Sequence, residues 1–502
     1  MTTACLAVLA LCCGGGSLQP EPQPPPVPEA RPSPQPSASE PAPAEPEPDA
    51  SAERVIGPSP GTPTLSLAAA VRRALENNFA LLDGADAVAG SRWQEKAALG
   101  PFLPRVTPLY QRSDESTVWG IDLTQSLPWT GASLTAAGRY TSQPQAQAPY
   151  AKTSDLRLLL TQPLLRGFGP NATFFDLRNA RRARVGQERA FALARQRVAL
   201  EVARAFYDVI AYRQLLDVAR QSLARTEVLL RSSNARLEVG MASKLDVFRA
   251  ELQAQQARGA MVRSEAALAS ALERFRGALA LPPDDSVEPE AAPLPVADTS
   301  DIEPPELLVR RALENRLELV EAREQVEDAR RAASLARQNL LPQLDLNLGV
   351  TQLGVAGSFG DAWTSGDRRV QVFLSASYPL QQYSQRATSA VAQLQVGSRE
   401  RGVRQREIEI EQEVRQAARE LEQIRKSVEL QQQAVEVAAQ QRRLAVLRYQ
   451  RGLGSNFDVV DAEGSLVNAR SALVQLLTTW AVARLDLKRT AGTLDVLAEF
   501  AP

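Results

Sequence analysis

Residues 237–251 read LEVGMASKLDVFRAE, and residues 449–463 read YQRGLGSNFDVVDAE. Laid over each other, Gly240 falls on Gly452, Ser243 on Ser455, Asp246 on Asp458, Val247 on Val459, Ala250 on Ala462 and Glu251 on Glu463. Each stretch describes one helix ending and another starting at once. A glycine takes the left-handed backbone that closes a helix at no steric cost. The serine that follows can cap the next helix. The aspartate after it sits where a capping-box acid reaches back, and where the helix dipole favours negative charge.

The residues before each turn form helical runs without an internal proline, about 174–237 and about 384–449. At ~1.5 Å per residue each is on the order of 100 Å long. Rods of that length suit a coiled-coil tube rather than a single-domain core. The helices returning from the turns, about 244–280 and 456–491, are shorter. Segments 79–100 and 317–340 have about the missing length. Stacked end to end with a return helix, each completes a second rod.

The duplication extends further. The heptapeptide VRRALEN occurs at 71–77 and again at 309–315, 238 positions later, and Pro104 and Pro342 keep the same spacing. Each proline ends a helix, because it has no N–H to give and disfavours helix in the residue before it. Past each proline the pattern alternates polar and apolar, as a strand does. The second half offers QLDLNLGV at 343–350 and RVQVFLSASY at 369–378. The first half offers VWGIDLTQ at 118–125, ASLTAAGRY at 132–140 and DLRLLLTQ at 155–162. The two turns lie only 212 residues apart, so the first half spends 26 more between proline and turn. An extra hairpin accounts for them.

Composition removes several classes of function. The 502 residues carry 57 Lys+Arg against 58 Asp+Glu, which gives no global pull toward nucleic acid or anionic lipid. There is no histidine, and the three cysteines, Cys5, Cys12 and Cys13, all fall in the first thirteen residues. Histidine- or cysteine-based metal sites and catalytic triads are excluded from the rest of the chain. A carboxylate-only hydrolase or lyase has no evident cleft, and the expectation is that the protein is not an enzyme and uses no cofactor or metal. The opening MTTACLAVLALCCGGG resembles the apolar core of an export signal without the usual basic start, so either the natural start lies upstream or the run is not a signal. A cysteine after such a run suggests lipidation at Cys12 or Cys13; cleavage near the glycines is the plainer alternative. The expected organisation is an export signal over 1–17, a Pro- and Glu-rich disordered linker over 18–63, a first repeat over 64–300, a second over 301–494 and a tail over 495–502.

An apolar stripe on a rod needs neighbours, and one chain has too few rods or strands to enclose a tube. Three copies supply about twelve rods and about twelve strands, enough for a closed barrel around an aqueous lumen. The helix–strand–strand–helix–helix repeat, the Leu-Pro breaks, the Gln-Pro-Leu and Tyr-Pro-Leu strand exits and the paired turns resemble the TolC-type outer-membrane efflux channels over about 65–495. The resemblance implies long coiled-coil helices forming a trimeric α-barrel, joined to a transmembrane β-barrel of about twelve strands. It implies a passive conduit in the outer membrane of a Gram-negative-type bacterium, extending into the periplasm and docked by a periplasmic adaptor (membrane fusion protein) and an inner-membrane pump, as in tripartite efflux or type I secretion. It implies no nucleic acid partner.

By the same resemblance, Asp458 and Asp461 line the narrowest part of the tunnel, where clustered acids raise each other's pKa and attract cations. Tyr449 and Asp246 match residues that hold the closed tip. The family's arginine two residues after the second-turn glycine is absent, since Gly454 stands there; Arg448 and Arg451 are the available substitutes. Asp246 and Asp458 also read as plain caps. Asp461, one turn further in and opposite Arg249 in the repeat, does not. Glu251 and Glu463 read as helix-surface ion pairs. LLRGFGP at 164–170 lacks the Lys and Ser/Thr of a phosphate loop and reads as a strand-to-helix turn. Trp119 and Trp129 suit either an interfacial belt or buried packing. RNARRAR at 178–184 reads as a solvated helix face rather than a nucleic-acid patch. The rival reading is a soluble, cytoplasmic coiled-coil scaffold, which explains the rods but neither the strands nor the leader.

Overall fold

The computed structural model describes residues 63–500, apart from 146–147, 291–292, 296, 298–302, 357–358 and 365. The expected signal with Cys12 and Cys13, and nearly all of the expected linker, lie outside the described residues. The first repeat opens with a two-residue strand β1 (Thr64–Leu65), then α1 (Leu67–Asn77) and α2 (Phe79–Leu99). Four strands follow: β2 (Arg105–Arg112), β3 (Thr117–Ser126), β4 (Ser133–Gln145) and β5 (Ala148–Pro163). A short α3 (Pro170–Thr173) leads into the first rod, α4 (Phe175–Glu238), and its return helix α5 (Lys244–Ala278). A short β6 (Glu288–Pro289) pairs in parallel with β1. The second repeat has α6 (Pro305–Asn315), α7 (Leu317–Gln338), β7 (Gln343–Ala356), a short α8 (Phe359–Thr364), β8 (Asp367–Ser377), the second rod α9 (Tyr383–Gln450) and its return helix α10 (Asn456–Thr490). A last turn of helix, α11 (Val496–Glu499), follows.

The repeated heptapeptide forms equivalent helices. α1 buries Ala70, Val71 and Ala74, and α6 buries Leu308, Val309 and Ala312 at the same register. Both helices stop on an extended residue that begins the next helix, Asn78 and Arg316. Asn78 caps α2 with its side chain, which accepts from Ala80 N at 3.0 Å. Arg316 cannot accept; it is buried instead, with its guanidinium on Glu413 and, at 3.2 Å, on Glu318. Burial pushes the Glu318 carboxyl up, but its backbone hydrogen bond and the nearby Arg316 and Arg406 outweigh that and hold it below the usual range.

The helices form a wall of rods. α5 and α2 lie along α4, and α10 and α7 lie along α9, so each short helix pair completes a second rod as expected. α10 also packs along α4, which places it between the two long rods. One core gathers around Val202, Phe206, Val209 and Phe275, where α1, α4 and α5 meet, and it takes in Val496 and Phe500 of the C-terminal segment. The other gathers around Ile410, Val414, Leu421 and Trp480, where α6, α9 and α10 meet. Near the strands, α4 and α7 are bridged by long charged side chains. Arg182 reaches Glu324 at 2.6 Å and Asp328 at 3.5 Å, and Arg189 reaches Glu321 and Glu324 at 2.8 Å. The RNARRAR stretch is therefore more than a solvated face: Arg181 and Arg184 also grip Glu95 of α2, at 3.0 and 2.7 Å.

The strands form one antiparallel six-stranded sheet in the order β2-β3-β4-β5-β7-β8. This sheet thus has six strands, two more per chain than three copies need for a barrel of about twelve. β2 escapes a reading by alternation because Pro108 interrupts it; a proline lacks the ladder N–H and is tolerated at the edge of a sheet, where β2 lies. The sheet has two unlike faces. Following the register, one face carries Val106, Pro108 and Tyr110, then Leu123, Ile121 and Trp119, then Leu134, Ala136, Gly138 and Tyr140. It continues through Leu156, Leu158 and Leu160, Leu346, Leu348 and Val350, to Val370, Val372 and Leu374. The opposite face carries Arg105, Thr107 and Gln111, Asp122 and Thr124, Arg139, Arg157, Asn347, Arg369 and Gln371. The apolar face is largely uncovered: Val106, Tyr110, Trp119, Ile121, Leu158, Val370, Val372 and Leu374 are all exposed. Among the described residues no helix is long and apolar enough to cross a membrane.

Candidate functional site

The two turns lie together at the far end of the rods from the sheet. Gly240 and Gly452 have φ of +76° and +74°. Each closes its rod with the same pair of bonds, Gly240 N to Leu237 O and Met241 N to Arg236 O in the first, Gly452 N to Tyr449 O and Leu453 N to Arg448 O in the second. Both return helices begin with a complete capping box. Asp246 N donates to Ser243 Oγ at 3.2 Å while Ser243 N donates to Asp246 Oδ2 at 3.2 Å. Asp458 N donates to Ser455 Oγ at 3.3 Å while Ser455 N donates to Asp458 Oδ2 at 2.9 Å. The carboxylates of Asp246 and Asp458 are thus engaged as caps.

Around this shared frame the tips are tied to each other. Tyr449 is buried, its hydroxyl 3.1 Å from Ser233 Oγ, and the Arg236 guanidinium lies 4.2 Å from its ring centre. Asn456 is buried too; its Nδ2 donates to the Asp246 carbonyl at 2.7 Å and to Ser233 Oγ at 3.4 Å. Arg249 sits over the Phe457 ring at 6.0 Å. Tyr449 and Asp246 are therefore joined through Asn456 and Ser233, with the Asp246 backbone rather than its carboxylate in contact. A Cβ at Gly454 would stand 3.1 Å from the Cβ of Arg448, so the position has little room for an arginine side chain. The cations that serve the tip are Arg236 and Arg249. Among the described residues Arg448 and Arg451 make no side-chain hydrogen bond or ion pair.

Asp461 is exposed on α10, one turn beyond Asp458, and among the described residues it makes no hydrogen bond or ion pair. Glu463 is its opposite. It is buried, bonded to Arg225 of α4 at 2.8 Å and 4.0 Å from Arg442 of α9. The expectation of a surface pair at Glu463 is corrected: this carboxylate joins three rods, because α10 is enclosed on two sides. Glu251, its counterpart, is exposed: α5 packs along α4, and it is the adjacent Ala250, not Glu251, that turns into the core shared with α10. A groove of about 340 Å³ opens beside the pair, walled by Leu229, Val446, Tyr449, Val459 and Val460.

Two lateral edges of the wall remain bare. On α5, Leu245, Phe248, Leu252 and Val262 are exposed, and on α9 Leu430, Val437, Leu444 and Leu447. The spacings of three, four, seven and ten residues are those of a coiled-coil seam, ten being one heptad plus three. The sheet is likewise open at β2 and β8. Rods bearing seams, paired tips and a one-sided apolar sheet together define an architecture found among solved proteins. The outer-membrane channel OprN superposes with a TM-score of 0.67 at 16% identity, over 85% of this chain and 90% of that one.

The fold is that of a TolC-type outer-membrane channel.

VceC of Vibrio cholerae gives a TM-score of 0.66 at 16% identity, over 85% of this chain and 96% of its own. Residues 308–493 match the family model for outer membrane efflux proteins. Outer membrane protein TolC of Escherichia coli (strain K12) is 27% identical over 325 residues, which cover 62% of this chain and 64% of the relative. The chain therefore spans slightly under two thirds of that relative's length. Within the TolC-type fold the exposed Asp461, the capped turns and the Tyr449 cluster stand at one end, and the apolar sheet face at the other.

Proposed function

We propose that three copies of this chain close side by side into a passive conduit of the outer membrane, with the sheets spanning the lipid and the rods reaching through the periplasm. The observation that carries this reading is the pair of bare edges: an exposed heptad seam on α5, another on α9, and a sheet open at both sides. A seam on one edge and its complement on the other make a heterologous contact, which closes into a ring when the rotation is right. The uncovered apolar sheet face meets lipid, and barrel closure satisfies the edge strands there.

In this ring Asp461 supplies one acid per copy at the narrow end, with Asp458 beside it. An exposed carboxylate such as that of Asp461, without a partner among the described residues, attracts cations and holds multivalent ones. The turns around Gly240, Ser243, Gly452 and Ser455 form the end surface that a periplasmic adaptor and an inner-membrane pump engage, and the exposed Val239, Met241, Leu245 and Leu453 give that surface apolar contacts. Energy for transport comes from the pump, so the chain itself needs no catalytic residue, cofactor or metal.

Planar-bilayer conductance of the purified protein tests the reading. A cation-preferring pore blocked by multivalent cations is expected, with block weakened in Asp461→Ala. Selectivity and block indifferent to that change would remove Asp461 from the pore, and absence of any conductance would remove the conduit.

A further inference from the structure

We infer that the β2–β3 hairpin is part of the membrane wall, so that β2 of one copy pairs with β8 of the next and three copies close an eighteen-stranded barrel. This rests on the proposed ring of three. Four observations place the hairpin in the wall rather than outside it. Its apolar face is continuous with that of the other four strands, with Val106, Pro108 and Tyr110 registered on Leu123, Ile121 and Trp119, and these in turn on Ala136, Gly138 and Tyr140. An appended hairpin in water would not expose Val106, Tyr110, Trp119 and Ile121 on one side.

Second, the outer end of this face carries Tyr110, Trp119 and Tyr140 on three adjacent strands, with the first two rings 4.4 Å apart between centres. Trp129, exposed, stands at the rod end of the same hairpins. Aromatic girdles at both borders of an apolar band are the mark of a barrel wall in lipid. Third, β2 runs away from the rods and β8 runs toward them, so joining these edges keeps every neighbour antiparallel.

Fourth, the widths agree. Six strands at about 4.8 Å spacing and about 40° tilt cover about 38 Å of circumference. Four rods at 8–10 Å spacing cover about 32–40 Å. Four strands alone would cover only about 25 Å and would force the wall to taper. Pro108 removes one donor from β2, and the remaining residues of the strand keep theirs. The resulting lumen at the membrane is about 1.5 times as wide as one of twelve strands, since diameter grows nearly linearly with strand number.

Disulfide trapping in outer-membrane vesicles, using the full chain, tests this. Thr107→Cys on β2 is combined in turn with Arg369→Cys, Gln371→Cys, Phe373→Cys and Ser375→Cys on β8, all on the polar face. Thr135→Cys on β4 is combined with the same series. The unsubstituted chain, with its own three cysteines, sets the background. At least one β2–β8 pair is expected to move most of the 54.5 kDa band into covalent dimer and trimer. Trapping through β4 instead, or through neither strand, overturns the eighteen-stranded wall. Native mass in detergent separates the two proposals: a trimer that traps through β4 leaves the conduit standing, whereas a monomer removes both.

Discussion

The two return helices begin identically and end up in different surroundings. α5 leaves its capping box packed along α4 and meets α10 only near Asp246 and Ala250, so Leu245, Phe248 and Glu251 remain exposed. α10 leaves the same box between two rods, and Asn456, Val459, Ala462 and Glu463 are buried. Where the repeats agree in sequence at Gly, Ser and Asp, the cause is local and served equally in both. Where they diverge, at Lys244 against Asn456 or Arg249 against Asp461, the cause is the neighbour. Glu251 and Glu463 show that even an identical residue changes role when the packing around it does.

Core deletions should break this comparison most strongly. Trp480→Ala empties a fully buried site between α9, α10 and α6 and should cost about 3–5 kcal/mol, while Leu268→Ala at the equivalent register of α5 should cost about 2–4 kcal/mol. Guanidinium titration of the detergent-solubilised protein measures both. Losses in the reverse order would mean that the first core carries the assembly. The paired glutamates sharpen the contrast. Glu463→Ala strands Arg225 and should cost about 3 kcal/mol. Glu251→Ala should stay within about 0.5 kcal/mol. Similar values for the two would show that α10 is not held between the rods.

The caps should behave alike, since their geometry is the same. Ser243→Ala and Ser455→Ala should each cost about 1 kcal/mol, with hydrogen exchange quickening in the first turn of α5 and of α10 respectively. A smaller effect than the caps belongs to the charged bridge between the repeats. Hydrogen bonds from Arg189, and then from Arg182, hold the Glu324 carboxyl down at about 2 against an ordinary 4.5. A depressed folded-state pKa adds stability that is present above the ordinary value and lost as pH falls toward the depressed one. Stability should therefore decline between about pH 4.5 and 2, and Glu324→Gln should flatten that decline by less than about 1 kcal/mol. An unchanged acid titration in the variant would show that the bridge does not couple to folding.

Much of this was legible in the residues because much of it is local. Gly240, Ser243 and Asp246 and their repeats announce their turns, and the rods need only an uninterrupted helical run. VRRALEN recurs in one register, and the two helices that hold it bury the same three positions. β2 was not legible, because Pro108 breaks the alternation and the strand is defined by its partner β3. The burial of Glu463 and the Tyr449–Ser233–Asn456 cluster were not legible either. They depend on α4 lying against α10 and the tip of α9, contacts between residues more than two hundred positions apart that no periodicity encodes. Asp461 stands out by the absence of any such contact.

Because α10 is wedged against both α4 and α9, the two long rods of one subunit are geared together. Turning α9 at its tip drags α10, and α10 pulls on α4 through Glu463–Arg225 and Asn456–Ser233. Among the described residues the exposed flank of α5 carries no comparable rivet. If three copies close as proposed, a mouth that dilates would slide at its joints, like the leaves of a camera shutter, while each leaf kept its shape.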